Sequence, residues 1–177
     1  FAVASVLIFM CQIITRILVA KDYYESWQFV PILIIATTYS CIVNFLASVY
    51  MAKKKSLMSL VTAMSGAVTN FVLNLVFIPR MGANGAALAT VCAFLVVFVT
   101  RGIDTRRYIK IDFKLPVLLS ETAVLVSQSV LLLKFGNTLW IYGVEAALVL
   151  VMILLNLKPI KELVNLLLAK FIKKKKS

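Results

Sequence analysis

Two apolar runs joined by a very short turn constrain this chain more than any other feature of its sequence. The runs cover residues 57–79 and 83–100, and Gly82 lies in the turn between them. About 20 apolar residues in a helix cross the hydrocarbon core of a bilayer, and each run is close to that length. A turn this short forces the two helices to lie side by side. The stretch therefore predicts a transmembrane helical hairpin.

The rest of the chain has the same character. Its 177 residues are 62% hydrophobic and 15% charged, whereas a soluble domain is roughly half apolar and a quarter charged. The runs are continuously apolar, and a membrane β-barrel would alternate apolar with polar residues. We therefore predict an all-α integral membrane protein with a bundle over residues 1–157. The six predicted spans are 1–20, 28–51, 57–79, 83–100, 115–134 and 138–157.

The first residue already lies inside an apolar run. No basic segment precedes this run, and no small-residue cleavage site follows it. We interpret residues 1–20 as a membrane helix rather than a signal peptide. The chain is accordingly expected to be the C-terminal part of a larger protein.

Residues with catalytic or metal-binding chemistry are scarce. The chain contains no His, which removes the commonest metal ligand and the commonest general base. Cys11, Cys41 and Cys92 fall within apolar spans at irregular spacing, which favours buried small side chains over a disulfide or a metal site. We expect no catalytic residue, metal or cofactor, and no enzymatic activity.

The basic residues are distributed unevenly between the two sides of the predicted bundle. If the loop at 53–55 is cytoplasmic, fifteen of the 19 Lys and Arg residues lie on that side and three on the other. This asymmetry indicates a multi-pass protein of the cytoplasmic membrane, with both ends of the chain in the cytoplasm. The net charge of +12 therefore reflects orientation and contact with lipid, not a nucleic-acid partner. In this count Arg101 belongs to a cytoplasmic loop, and Arg16 is the only basic residue within a span.

Residues 158–177 form a basic cytoplasmic tail beyond the last span. Apolar residues recur at helical spacing over 160–171, with lysines on other faces. This pattern fits either an interfacial helix on anionic lipid or a solvated, disordered tail. For the final lysines we favour disorder.

Polar residues fall on one face of several predicted spans. In a bilayer such faces contact protein or a water-filled cavity. For the first two spans we favour a cavity, because Arg16 is hard to explain by packing alone. The candidate cavity residues are Ser5, Gln12 and Arg16 in the first span and Ser40 and Asn44 in the second.

The third and fourth spans favour close helix packing instead. Asn70 and Asn74 lie one turn apart, and Gly85, Ala89 and Ala93 recur at every fourth position. Small residues at this spacing let two helix backbones approach.

Two acidic residues, Glu121 and Glu145, also lie inside predicted spans, at different depths, so we do not expect them to pair. Glu145 fits either a protonated, hydrogen-bonded group at a helix interface or a functional carboxylate.

The hairpin also resembles a known family of membrane transporters. It has an Asn pair, an Ile-Pro end, a Gly, and then a Gly-Ala-Ala segment with an Ala-Thr pair, and a short basic loop precedes it. The residues that carry this pattern are Asn70, Asn74, Ile78, Pro79, Gly82, Gly85, Ala86, Ala87, Ala89 and Thr90. Over about forty residues it is similar to the polysaccharide biosynthesis flippases of the multidrug, oligosaccharidyl-lipid and polysaccharide exporter superfamily. The rest of the chain resembles the family in the order of its apolar spans.

The resemblance implies a C-terminal part of a two-lobe exporter. Its expected partners are membrane lipid, an N-terminal lobe and an undecaprenyl-diphosphate-linked glycan, which alternating access of the lobes moves across the membrane. Cationic residues of the cavity would meet the diphosphate, and here that role falls to Arg16. Two alternatives stay open, a multidrug or cation antiporter of the same superfamily and a membrane scaffold without transport.

Overall fold

The computed structural model describes residues 1–18, 26–109, 114–135 and 139–157. Each of the six predicted spans coincides with a helix, and the all-α prediction is confirmed. The tail at 158–177 lies outside the described residues. The helices are α1 (Ala2–Leu18), α2 (Val30–Ala52), α3 (Ser56–Met81), α4 (Ala83–Thr105), α5 (Leu115–Phe135) and α6 (Leu139–Leu155).

Four of these helices, α2 to α5, are long and apolar enough to cross a membrane. The described parts of α1 and α6 contain 17 residues each, which is at the lower limit for a span. The chain is therefore a membrane protein, and the crossing of the bilayer by α1 and α6 stays a prediction.

The helices pack in two groups, and α2 belongs to the first and contacts the second. The hairpin group consists of α2, α3 and α4, with α4 packed against both of the others; the α1–α5–α6 group packs against α2 through α1 and α5. The buried apolar core lies where α1, α2, α5 and α6 meet, around Ile8, Tyr39, Leu125 and Met152. In α3, by contrast, Gly66 alone is buried. The apolar side chains that α3 exposes suit contact with lipid.

The turn between α3 and α4 consists of one residue. Gly82 has φ +57° and ψ −135°, a conformation that residues with a Cβ rarely adopt. Its N–H donates to the Ile78 carbonyl at 2.9 Å. Pro79 lies in the last turn of α3. The sequence prediction of a tight hairpin thus corresponds to the shortest connection between the described helices.

Hydroxyl groups inside the spans bond back to their own helix. Thr15, Thr69 and Thr90 each donate to the carbonyl oxygen four residues earlier, at 2.7 to 2.9 Å. These bonds give the hydroxyls partners that lipid cannot supply. Ser and Thr are therefore tolerated along spans that are otherwise apolar.

Candidate substrate cavity

Small residues bring the backbones of α3 and α4 together. A Cβ on Gly85 would lie 2.5 Å from the Phe77 carbonyl oxygen, and a Cβ on Gly66 would collide with the Val97 side chain. Ala89 is fully buried and Ala93 is 7% exposed. The seam that the sequence predicted thus lies at the contact between the two helices, and Gly66 contributes from α3.

Arg101 lies within α4 and is only 4% exposed. The sequence prediction ended the span at residue 100 and counted Arg101 with a cytoplasmic loop, whereas in the structure α4 continues to Thr105. The prediction ended the span at the first charge, whereas the buried face of α4 continues through Arg101 to Thr105. Arg16, assigned as the only basic residue within a span, is exposed near the end of α1.

The Arg101 guanidinium joins all three helices of the hairpin group. Nη1 donates to the Val43 carbonyl of α2 at 2.8 Å. Nε donates to Thr62 Oγ1 at 3.0 Å and Nη2 to the Ser59 carbonyl at 3.1 Å, both on α3. Every one of these acceptors is neutral. Among the described residues no carboxylate forms an ion pair with this cation, and its hydrogen bonds all go to neutral oxygens.

A cavity of about 450 Å³ opens beside Arg101, between α2, α3 and α4. Its polar groups come from Asn44, Asn70, Thr90 and Arg101, and the remainder of its wall is apolar or small. The lining residues are Val43, Asn44, Ala63, Gly66, Ala67, Asn70, Thr90, Ala93, Phe94, Val97 and Arg101. A cavity with an apolar wall and a few polar groups, one of them cationic, suits an amphipathic anion.

Asn70, one member of the Asn pair of α3, lines this cavity. Asn74 Nδ2 donates to Asn70 Oδ1 at 2.8 Å, and Asn70 Nδ2 approaches Thr90 Oγ1 of α4 at 3.4 Å. Thr90 in turn donates to the Ala86 carbonyl at 2.9 Å. The Asn pair therefore links α3 to α4, as the packing interpretation expects, while Asn70 also faces the cavity.

The candidate cavity residues from the sequence are divided between the two helix groups. Asn44 lines the cavity and its Nδ2 approaches Ser40 Oγ at 3.5 Å. Ser5 and Gln12 are buried in the α1–α5–α6 group instead. Ser5 Oγ donates to Gln128 Oε1 at 2.7 Å, and Gln12 Oε1 accepts from the Tyr142 hydroxyl at 2.7 Å. The structure therefore does not bring the two predicted polar faces together.

Glu145 is the more deeply buried of the two acidic residues in the described part of the α1–α5–α6 group. It is 0% exposed, and its Oε2 accepts from Gln128 Nε2 at 3.1 Å. Glu121 lies elsewhere and accepts from Asn156 Nδ2 at 2.8 Å. The two carboxyls thus have different partners, as their different depths predicted.

One signal in the sequence could have identified Arg101. All buried positions of α4 except Ala87 recur at every fourth residue, at Gly85, Ala89, Ala93, Val97, Arg101 and Thr105. Arg101 therefore continues the same packed face as the small-residue seam. Extending this packed face of α4 by one turn beyond Val97 would have placed Arg101 inside the bundle, although the mean hydropathy of the segment ends the span at residue 100.

Contacts at the end of α4 hold the α2–α3 loop beside this site. The Tyr50 hydroxyl donates to Asp104 Oδ2 at 2.9 Å, and the Tyr50 ring meets the Tyr108 ring edge-on. Lys55 Nζ lies 5.1 Å from the centre of the Tyr108 ring. These contacts fix the ends of α2 and α4 next to Arg101.

Comparisons with protein families, with curated proteins and with solved structures found no match to this chain. The chemistry available to the site therefore has to be judged from its own groups. Among the described residues, no three His, Cys, Asp or Glu side chains lie close enough to hold a metal ion. The groups present can bind and position an anion, since a guanidinium donates to phosphate or carboxylate oxygens in a planar fork.

Proposed function

We propose that this chain is the C-terminal part of a membrane transporter that flips or exports lipid-linked oligosaccharide precursors, and that its Arg101 cavity receives their phosphate groups. The observation that carries the proposal is a buried cation without a carboxylate partner in the described residues, beside a cavity between membrane-spanning helices. An uncompensated charge inside a bilayer is costly and usually functional. An anionic substrate would supply the missing negative charge.

The cavity also suits the lipid and sugar portions of such a substrate. Its apolar wall would accept the first part of a lipid chain, and the side-chain amides of Asn44 and Asn70 could hydrogen-bond to sugar hydroxyls. The resemblance of the hairpin to the polysaccharide flippases supports the same substrate class. Transport of this kind needs no covalent catalysis by the chain. In this proposal Arg101, rather than Arg16, is the principal contact of the phosphate groups.

A cation antiporter of the same superfamily is the second candidate. The observation in its favour is the fully buried Glu145 in α6, because a carboxyl is the usual ligand for an exchanged cation. It is less well supported, since the cavity itself is lined by a cation and by no acidic residue among the described ones.

Export in cells tests the proposal through three variants of the full protein. Arg101→Gln should abolish glycan export, and Arg101→Lys should keep part of it, because the charge survives and the planar fork does not. Thr62→Val is the matched control, since it removes one hydrogen bond to Arg101 and leaves the cation in place. Surface glycan and protein abundance would be measured together.

Equal export by Arg101→Gln and wild type at equal abundance would contradict the proposal. A loss of protein in both Arg101→Gln and Thr62→Val would indicate a structural role for Arg101. A binding measurement on the wild-type protein in lipid nanodiscs then decides, with farnesyl diphosphate and farnesol as a matched pair of ligands. The diphosphate should bind in a salt-sensitive manner and the alcohol should bind more weakly by at least tenfold. Equal binding of the two would refute an anion site.

A further inference from the structure

The carboxyl of Glu145 has an unusual set of partners for a group in a dry interface. Its Oε2 accepts one hydrogen bond, from Gln128, and its Oε1 is buried without any partner. Buried polar atoms are almost always hydrogen-bonded. A carboxylate in this environment would have one oxygen unsatisfied and its charge unbalanced, which is strongly unfavourable in a medium without water.

The neighbouring polar groups explain why only one oxygen is bonded. Ser5 Oγ donates to Gln128 Oε1 at 2.7 Å, so the amide oxygen of Gln128 faces α1 and its nitrogen faces Glu145. Hydrogen-bond donation therefore runs from Ser5 on α1 to Gln128 on α5, and from Gln128 to Glu145 on α6. The network supplies a donor to Oε2 and nothing to Oε1.

No cation near the carboxyl offsets its charge within the described ranges. The helices packed against α6 are α1 and α5. Their ionisable groups are Cys11, Arg16, Glu121 and Lys134, and α6 itself adds Tyr142. The thiol of Cys11 interacts electrostatically with Glu145 and would repel it if ionised. Arg16 and Lys134 are exposed, Glu121 is bound by Asn156, and the Tyr142 hydroxyl donates to Gln12.

From this geometry we propose that Glu145 is a reversible proton-binding site at the junction of α1, α5 and α6. The proton sits on Oε1 when the helices pack as they do here, and it leaves when α1 separates from α5 and α6. A proton fits better than a metal cation. The amide oxygen of Gln128 is already used by Ser5, so the site offers a metal ion Oε1 and little else, whereas such ions take several oxygen ligands.

Loss of the proton requires the junction to open. When the O–H bond breaks, the electron pair stays on Oε1 and the proton passes to water, which must therefore reach the carboxyl. The junction is dry as it stands, since Ile8, Leu132, Ile141 and Met152 are all fully buried. Ionisation and hydration of Glu145 are thus coupled to separation of α1 from its neighbours.

Infrared spectroscopy of the full protein in lipid nanodiscs tests the protonation directly. The wild-type spectrum at neutral pH should contain a protonated-carboxyl band that shifts in D₂O and disappears at high pH. Glu145→Gln should remove this band, and Glu121→Gln should leave it unchanged. Absence of a protonated-carboxyl band from wild type at neutral pH, or its survival in Glu145→Gln, would overturn the assignment.

Thiol labelling of Cys11 tests the coupling to helix separation. Cys41 and Cys92 are first replaced by Ser, so that a membrane-permeant maleimide reports on the buried Cys11. Thiol reactivity itself rises with pH, and Glu145→Gln at the same pH is therefore the control. Labelling of the protein with Glu145 should exceed that of the Gln variant several-fold at high pH and match it at low pH. Equal rates at every pH would refute the coupling.

Replacing choline with sodium at constant high pH completes the test. A proton site predicts no change in the labelling rate. Protection of Cys11 by sodium would instead identify a metal-cation site and overturn the proton assignment. None of these measurements depends on what the protein transports, so a failed export assay leaves their outcome interpretable.

Discussion

Arg101 in the hairpin group and Glu145 in the α1–α5–α6 group are both buried, but their surroundings differ. Arg101 has acceptors from two neighbouring helices and faces a cavity of about 450 Å³. Glu145 has one donor and an unpartnered oxygen in a fully packed interface. A guanidinium cannot lose its proton in a protein, so the surrounding helices have to supply hydrogen-bond acceptors for it. A carboxyl can be neutralised by a proton instead.

The two groups also differ in how their helices touch. In the hairpin group, glycine and alanine bring backbone against backbone at Gly85 and Gly66. In the α1–α5–α6 group, larger side chains such as Leu125, Leu132 and Met152 fill the space between the helices. Enlarging a residue should therefore damage the first group, and shrinking one should damage the second.

The largest effect is expected from Gly85→Leu in the hairpin group. Its Cβ would lie 2.5 Å from a backbone oxygen, which cannot move aside as a flexible side chain can. We expect a destabilisation of more than about 3 kcal/mol and a strong decrease of the protein in the membrane. Leu95→Ala on the same helix is the matched control, and immunoblots of membrane fractions give the comparison. Similar amounts of both variants would show that backbone contact does not hold the hairpin.

Leu132→Ala should produce the next largest effect, through a cavity in the α1–α5–α6 group. Leu132 is fully buried. Lipid is as apolar as leucine, so little transfer free energy is lost and the penalty comes mainly from lost packing. We therefore expect about 2 kcal/mol, at the lower end of the range for buried leucines. Thermal inactivation in nanodiscs measures it, with the exposed Leu133→Ala as control; a larger effect at position 133 would contradict the packing.

Arg101→Met should destabilise the hairpin group by about 1–3 kcal/mol. The substitution removes the donors to Val43, Ser59 and Thr62, and each acceptor loses a partner in a site shielded from water. Relief of the buried charge offsets part of this loss. Chemical unfolding of the purified protein measures the balance. A more stable variant would mean that Arg101 is retained for function alone.

Glu145→Gln should have the smallest effect, within about 0.5 kcal/mol of wild type at neutral pH. Glutamine has the shape of the neutral acid, and its oxygen can still accept from Gln128. At high pH the same measurement should find the variant more stable than wild type. Wild type must then either keep Glu145 protonated at a low proton concentration or bury an ionised carboxylate, and both lower its free energy of unfolding. A large destabilisation at neutral pH would indicate that the carboxylate, not the acid, is the native form.

The predictions from sequence were correct for features that depend only on hydropathy and residue spacing along a short stretch of chain. Hydropathy summed along the chain located all six helices, and the hairpin turn at Gly82 followed from the short gap between two apolar runs. The small-residue seam at Gly85 and Ala89 could likewise be read from spacing on one helix. The orientation in the membrane, the family and the substrate stay predictions, because the packing of these helices against one another does not determine them.

The sequence by itself determined that this chain forms long apolar helices with a tight hairpin, because the bilayer demands helical backbone and apolar side chains over a set length. Only the tertiary structure decided which polar groups meet. Ser5 and Gln128 are 123 residues apart, and Arg101 and Val43 are 58 apart, so no local pattern pairs them. For the same reason the sequence did not indicate that Arg101 is buried and Arg16 is exposed. Burial of a side chain depends on which helices pack around it, and this packing is a property of the whole bundle.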